Sequence, residues 1–411
     1  MTIAITNPKT QSRTTLAFGL CMLCYLLGGT VATLISVNLP VAIPELLGKT
    51  PTADELGKIG AYLNASFIFG WMFGGLTLGV VSDKVGRIKT LAFSAGIYGV
   101  FTLMTVFVAN WESLLVYRFF TGLGVGGVLL LTTVYISEIW DTDTRPVALG
   151  ILAVSFPIGI VLTGGLNVVF NSWRQSFWLG IIPILLSFII ISFLPESSSW
   201  QSEERNKNQH KESIFSETNG PKLLIGSLIF GAVLIGLWAI FSWLPTWVQS
   251  LLIGTSSDGQ KERGLIMMLL GIGGIVGGMI SGLLIKKMGS SNTLILTFSG
   301  CFLACLLLFT TNAHFSPIIY LETALLSLFF GISQGSLSSY IPALFSTTIR
   351  ATATGFCFNI GRFFTATAVF FVGSLVTAFG GIGNALLAFS ITFLIALAVV
   401  YFSKETKKIE A

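Results

Sequence analysis

Apolar residues in this chain fall in long unbroken runs rather than short alternating stretches. Twelve runs stand out, at roughly 14–38, 59–82, 90–109, 113–137, 146–169, 174–194, 222–250, 263–285, 292–312, 316–340, 351–378 and 383–402. About 20 helical residues cross the ~30 Å hydrocarbon core of a bilayer, and a backbone in lipid must satisfy its own hydrogen bonds. Each run therefore predicts one membrane-spanning helix. The expected fold class is an all-α integral membrane protein with twelve transmembrane helices in two six-helix bundles. One polar interval is long: 196–221, rich in Ser, Asn, Glu and Lys, with His210 inside it. Lacking apolar periodicity, it reads as a cytoplasmic linker between bundles 1–195 and 222–411.

Composition agrees with lipid as the solvent. Hydrophobic residues make up 53% and charged residues only 10% of the chain, and mean hydropathy is +0.84, so the surface lacks the charge a soluble domain needs. Of 23 Lys and Arg, sixteen fall on the side of the N-terminus. Five fall on the other side (Lys49, Lys58, Arg174, Lys261 and Arg263), and Arg118 and Arg362 lie within runs. Cations collect on the cytoplasmic side, so both termini are expected there. The net charge of +5 then reflects topology, and no nucleic-acid partner is expected. The first run is too long for a cleavable signal and lacks a small-residue cleavage site. All five cysteines lie in runs, so no disulfide or metal site is expected, and Cys21 and Cys24 read as packing residues.

The halves repeat each other. Tyr135-Ile, Arg145 and Gly150 recur as Tyr340-Ile, Arg350 and Gly355 at a shift of 205, which Gly126 and Gly331 also obey. Between runs two and three, Gly79-Val-Val-Ser-Asp83-Lys84-Val-Gly86-Arg87-Ile-Lys89-Thr90 reads as a twelve-residue loop. Its glycines permit close helix approach and a tight turn, and Asp83 can pair with Lys84 or Arg87. The loop echoes at Gly282–Thr293, where Lys286 replaces Asp83 and Ser290 replaces Arg87. Duplicated halves about an axis along the membrane normal place a substrate between them, near the midplane.

These residues resemble the major facilitator superfamily over nearly the whole chain. The 79–90 segment is similar to that family's G-x-x-x-D-R/K-x-G-R-x-K pattern, and Arg118-Phe-Phe-Thr-Gly122-Leu-Gly124-Val-Gly126 resembles its fourth-helix motif. Tyr135-Ile-Ser-Glu138 with Arg145, Pro195-Glu196-Ser-Ser-Ser-Trp200, and Ile349-Arg350-Ala-Thr-Ala-Thr-Gly355 resemble its sugar-porter and metabolite:proton symporter branches. The resemblance implies alternating access by rocking of the halves. Asp83, Lys84, Arg87, Glu138, Arg145 and Arg350 would gate, their pairs locking one conformation and breaking in the other. Many sugar porters and aromatic-acid symporters couple through an Asp in helix one. Thr14–Asn38 has no acidic residue, so that mechanism does not transfer.

Three charges fall inside runs rather than at their ends: Arg118, Arg362 and Glu322. An arginine at a helix centre costs roughly 2.5–3.5 kcal/mol on insertion scales, so each predicts a cavity or a partner. Arg362 lies near the middle of run eleven. Animal organic-anion transporters of the same superfamily also place an arginine twelve residues after the loop arginine, and that likeness implies a carboxylate clamp at Arg362 with Asn359 nearly a turn away. Glu322 sits as deep in run ten as Arg118 does in run four. The two are expected to face each other across the outer cavity, with Glu322 as the proton site.

Further lining candidates are Tyr25 and Asn38 on run one, Trp238 on run seven and Gln334 on run ten. Trp111, Trp173, Trp178, Trp243 and Trp247 read as an interfacial belt. Gly271, Gly274, Gly278 and Gly282 read as a packing seam, and Pro157 and Pro245 as kinks. No metal constellation, nucleophile–base pair or phosphate loop is present, so neither an enzyme nor a cofactor is expected. The expectation is a monomeric, multi-pass secondary transporter of the cell membrane (the inner membrane if bacterial). It would move a small organic anion, a carboxylate or aromatic acid, with proton symport. A sugar or polyol:proton symporter, an exporter and a non-transporting membrane sensor are the alternatives.

Overall fold

The computed structural model describes residues 8–197, 200–201, 215–346 and 349–403. The first half holds α1 (Pro8–Leu47), α2 (Ala53–Val85), α3 (Arg87–Met104), α4 (Trp111–Ile139), α5 (Arg145–Val169) and α6 (Ile181–Phe193). A 3-10 turn, Trp173–Gly180, leads into α6. The second half holds α7 (Gly220–Phe241), α8 (Leu244–Leu251), α9 (Gln260–Met288), α10 (Ser290–Thr311), α11 (Ile318–Ala343), α12 (Arg350–Phe370), α13 (Val372–Ala378) and α14 (Ile382–Phe402). Among the described residues, eleven helical segments are long and apolar enough to cross a membrane. The pair Thr352–Phe370 and Val372–Ala378, bent by 41°, makes a twelfth when taken as one span. Most of the expected linker, 196–221, lies outside the described residues.

Two boundaries differ from the sequence reading. The seventh run carries a two-residue interruption at the expected kink: α7 ends at Phe241 and α8 restarts at Leu244 with Pro245 in its first turn, while Gly220–Leu251 remains one span. Proline has no N–H and collides with the carbonyl four residues back, so a first turn accepts it where a helix interior does not. Pro157, by contrast, lies inside a continuous α5. The 79–90 segment is not a loop. Helix α2 runs to Val85 and α3 starts at Arg87, with Gly86 alone between them at φ 114°. Any Cβ at Gly86 would also strike the Glu196 carboxylate, so glycine is needed there twice over.

In the first bundle α4 packs along α2 and α3, and α5 packs along α1. In the second, α11 packs along α9 and α10, and α7 against α12 and α14. Helices α2 and α4 approach backbone to backbone. Gly70 and Gly74 face the Phe119 and Leu123 carbonyls, while Gly122 and Gly126 face those of Phe67 and Trp71. A side chain at any of the four meets backbone, which explains the glycine spacing of the fourth run. Gly126→Ala is therefore expected to lower the melting temperature of the purified protein, since overpacking costs about 1–3 kcal/mol. Gly150→Ala, whose Cβ would meet nothing within 4 Å, is the matched control and leaves it unchanged or raises it.

The halves meet at the face opposite the chain termini. There Thr377 donates to Asp54 (2.8 Å), and Gln260 Nε2 donates to the carbonyls of Asn167 (2.7 Å) and Phe170 (2.8 Å). The seam continues inward as Gly164 against Gly264 and Gly271 against Pro157 and Val161. It then ends. Gly278 and Gly282, expected to continue a packing stripe, have nothing within 4 Å of a Cβ position, and neither do Gly150 and Gly355. Gly273 and Gly277, on another side of α9, instead pack on α11. The halves thus part toward the terminal face and leave a cleft open there.

Candidate functional site

Arg362 stands at the inner end of that cleft. It lies twelve residues into α12, about 18 Å along the axis, and is half-buried. Its guanidinium carbon is 5.0 Å from the Trp71 ring centroid and 6.0 Å from that of Phe230. Nη1 donates to Asn359 Oδ1 at 3.4 Å, a long and weak bond. Asn359 Oδ1 lies 3.1 Å from where a Cβ of Gly75 would sit, so the bare face of α2 makes room for this group. The site therefore draws on both halves.

Aromatic rings wall it. Trp71 packs edge-on to Trp238 (5.7 Å) and lies 5.7 Å from Phe156, which in turn meets Tyr25 edge-on at 6.4 Å. None of the ion pairs among the described residues includes Arg362. A half-buried guanidinium without a carboxylate among the described residues, set among flat apolar rings, has the chemistry to receive an anion.

The other expected lining residues are placed differently. Arg118 is 2% exposed. Its Nη1 and Nη2 donate to the carbonyls of Val31 and Ala32 on α1, each at 3.1 Å, and its guanidinium lies 4.1 Å over the Phe67 ring. Glu322 accepts from Asn312 Nδ2 at 2.6 Å and from Thr311 Oγ1 at 3.4 Å. Arg118 and Glu322 thus bind different partners in different bundles, and the expected pairing across an outer cavity is not formed. Asn38 is buried in the seam, donating to the Leu34 carbonyl and accepting from Asn167. Gln334 keeps a buried Nε2 without a partner.

At the terminal face, Arg87 gathers the charged residues of the first half. Its Nε bonds Glu138 at 3.1 Å, and its Nη1 bonds Asp83 and Ser82. Glu196 caps α3 by accepting from the backbone N–H of Arg87 and Ile88, and Trp200 donates to the Asp83 carbonyl. All of these partners belong to the first half or its trailing segment. Lys84 is exposed and enters none of the ion pairs. Arg145 and Arg350 play matching parts, each donating at 3.4 Å to the carbonyl five residues earlier, Trp140 and Phe345.

Sequence reasoning missed two functional groups. Trp71 sits in mid-run, where an interfacial tryptophan has no place, and that depth was the available signal. Arg263, counted among the topology-setting charges, is only 2% exposed. It bonds the Val37 carbonyl of α1 at 3.1 Å, the Asp258 carbonyl, and Gln249 Oε1, closing the seam between the halves. Three belt tryptophans are likewise interior: Trp173, Trp243 and Trp247 are buried, while Trp178 is exposed. Two grooves, of about 430 and 460 Å³, lie on the outer flanks of the bundles and contain none of the site residues.

The sequence model of the Major Facilitator Superfamily matches residues 21–366. The chain belongs to that superfamily. Its similar relatives include the cis,cis-muconate transport protein of Acinetobacter baylyi, 25% identical over 90% of this chain and 89% of the relative. The 3-(3-hydroxy-phenyl)propionate transporter of Escherichia coli is 27% identical over 87% and 86%. The inward-open xylose transporter XylE from E. coli shares the fold at a TM-score of 0.77, with 17% identity, covering 97% of this chain and 99% of that one. The Major Facilitator fold accounts for the two bundles and the cleft between them, and both of these relatives are transporters rather than enzymes.

Proposed function

We propose that this Major Facilitator protein is a secondary transporter that carries a small, flat organic anion, one carboxylate of which is held by Arg362. The observation that carries the reading is that guanidinium: it lies between the halves, among rings, with no carboxylate partner among the described residues. A buried cation is costly until an anion reaches it, and the fork of a guanidinium grips a carboxylate through two parallel bonds. Trp71, Trp238, Phe156 and Tyr25 offer faces and edges to a flat body. The names of the relatives, transport of muconate and of a hydroxyphenylpropionate, point to the same chemistry. A sugar would leave the guanidinium unneutralised and finds few amides beside it beyond Asn359.

The terminal face is cytoplasmic, on the Lys and Arg asymmetry, so the cleft opens inward from the cell membrane. The segment 196–221 joins the bundles 1–195 and 222–411 on that side, and the working unit is a monomer. The cluster of Arg87, Asp83 and Glu138 stiffens the rim that must close when the cleft does. Transport is coupled to proton influx, with Glu322 as the coupling carboxylate. Proteoliposomes with an imposed proton gradient test this reading by benzoate accumulation. Glu322→Gln is expected to keep benzoate exchange and lose gradient-driven accumulation; undiminished accumulation in that variant removes Glu322 from the coupling.

A further inference from the structure

Two arginines without carboxylate partners lie on either side of a wall of two rings. Arg362 rests on Trp71, Trp71 meets Phe67 edge-on at 5.8 Å, and Phe67 covers Arg118 at 4.1 Å. Phe67 is fully buried, and its ring also lies 6.3 Å from that of Trp238. Arg118 spends Nη1 and Nη2 on α1 carbonyls, yet its Nε is buried with no hydrogen-bond partner. No carboxylate among the described residues neutralises it. A second positive charge is therefore held within reach of the site but screened from it.

We propose that Phe67 sets the number of negative charges the site accepts, by walling Arg118 off from the ligand held at Arg362. The inference rests on Arg362 as the anion receptor. A ligand with one carboxylate meets one guanidinium and apolar rings. A second carboxylate meets the wall instead, where ring faces carry negative potential and nothing donates to it. A charge buried without a partner is strongly penalised, so the wild-type site prefers monoanions. Removing the Phe67 ring takes away the part of the wall that covers Arg118, so that a second carboxylate reaching past the edge of Trp71 meets a second cation.

Thermal stability of the purified full chain, titrated with benzoate and with terephthalate, tests this, because a ligand of the folded state stabilises by mass action. The wild type is expected to bind benzoate at least about tenfold more tightly than terephthalate, a difference of roughly 1.4 kcal/mol. Phe67→Ala is expected to bring the two affinities within about threefold of each other, and Phe67→Ala combined with Arg118→Gln to restore the preference. Phe67→Leu, which keeps the core filled, moves the ratio the same way by less and serves if the alanine variant fails to fold. Equal wild-type affinities for the two probes overturn the proposal, as does a folded Phe67 variant with the wild-type ratio. If neither probe stabilises the wild type, the anion site at Arg362 itself is wrong; if both do so equally, only the role of Phe67 is.

Discussion

Arg362→Ala is expected to remove most of the carboxylate affinity while leaving the protein folded. Truncating one partner of a buried, hydrogen-bonded charge pair costs about 2–5 kcal/mol, which is roughly 30-fold to several thousand-fold in affinity. The fold loses little, because among the described residues the Arg362 side chain makes one hydrogen bond, the 3.4 Å contact with Asn359. Removing an unpaired cation from a low-dielectric site relieves a desolvation penalty, so the ligand-free variant melts at the wild-type temperature or above it. Arg362→Lys keeps the charge but loses the fork and the stacking on Trp71 and Phe230, and is expected to fall between the two. Benzoate titrations of melting temperature on all three proteins check the order. An alanine variant that responds to benzoate as the wild type does would remove Arg362 from the site.

Arg263→Ala shifts the protein toward opening at the face opposite its termini. The Arg263 side chain joins α9 to the Val37 carbonyl of α1 and to Gln249 at the end of α8. Those groups belong to different halves, so the bond to Val37 exists only while that face is closed. A hydrogen bond to a charged donor contributes about 1.5–3 kcal/mol. Losing it from one state alone changes the ratio of the two states by roughly 10- to 150-fold. Spin-label distances between positions 54 and 377, whose native side chains bond at 2.8 Å, read the separation directly. The variant is expected to populate the long distance more than the wild type. An unchanged distribution would mean that the glycine contacts of the seam hold the face shut without Arg263. Gln260→Ala, which removes two bonds to carbonyls of the first half, moves the distribution the same way.

The spans were legible because lipid forces every crossing into one long apolar run, whatever the packing. What lies inside a run was not. The break between α7 and α8 carries no polar interruption, since Ser242 and Trp243 are buried and fit an apolar pattern. The charged 79–90 segment read as loop because charge ends a run. Helix α2 nevertheless continues to Val85, because a helix that reaches the interface can carry charge on its last turn. The repeat register correctly related Arg145 to Arg350, which make equivalent bonds. Equal depth misled for Arg118 and Glu322: residues at the same depth in runs four and ten occupy corresponding places in two bundles, and nothing in the symmetry brings them into contact. Arg263 illustrates a further limit, since a cation at the edge of a run looks the same whether it faces water or a carbonyl of the other half.

The anion specificity of the Arg362 site is tested most directly by the melting temperature of the wild-type protein at fixed ionic strength. Benzoate, xylose and choline are titrated in parallel. Benzoate is expected to raise the melting temperature in proportion to the logarithm of its concentration above saturation, with xylose and choline without effect. A rise with xylose or choline and none with benzoate would contradict the assignment.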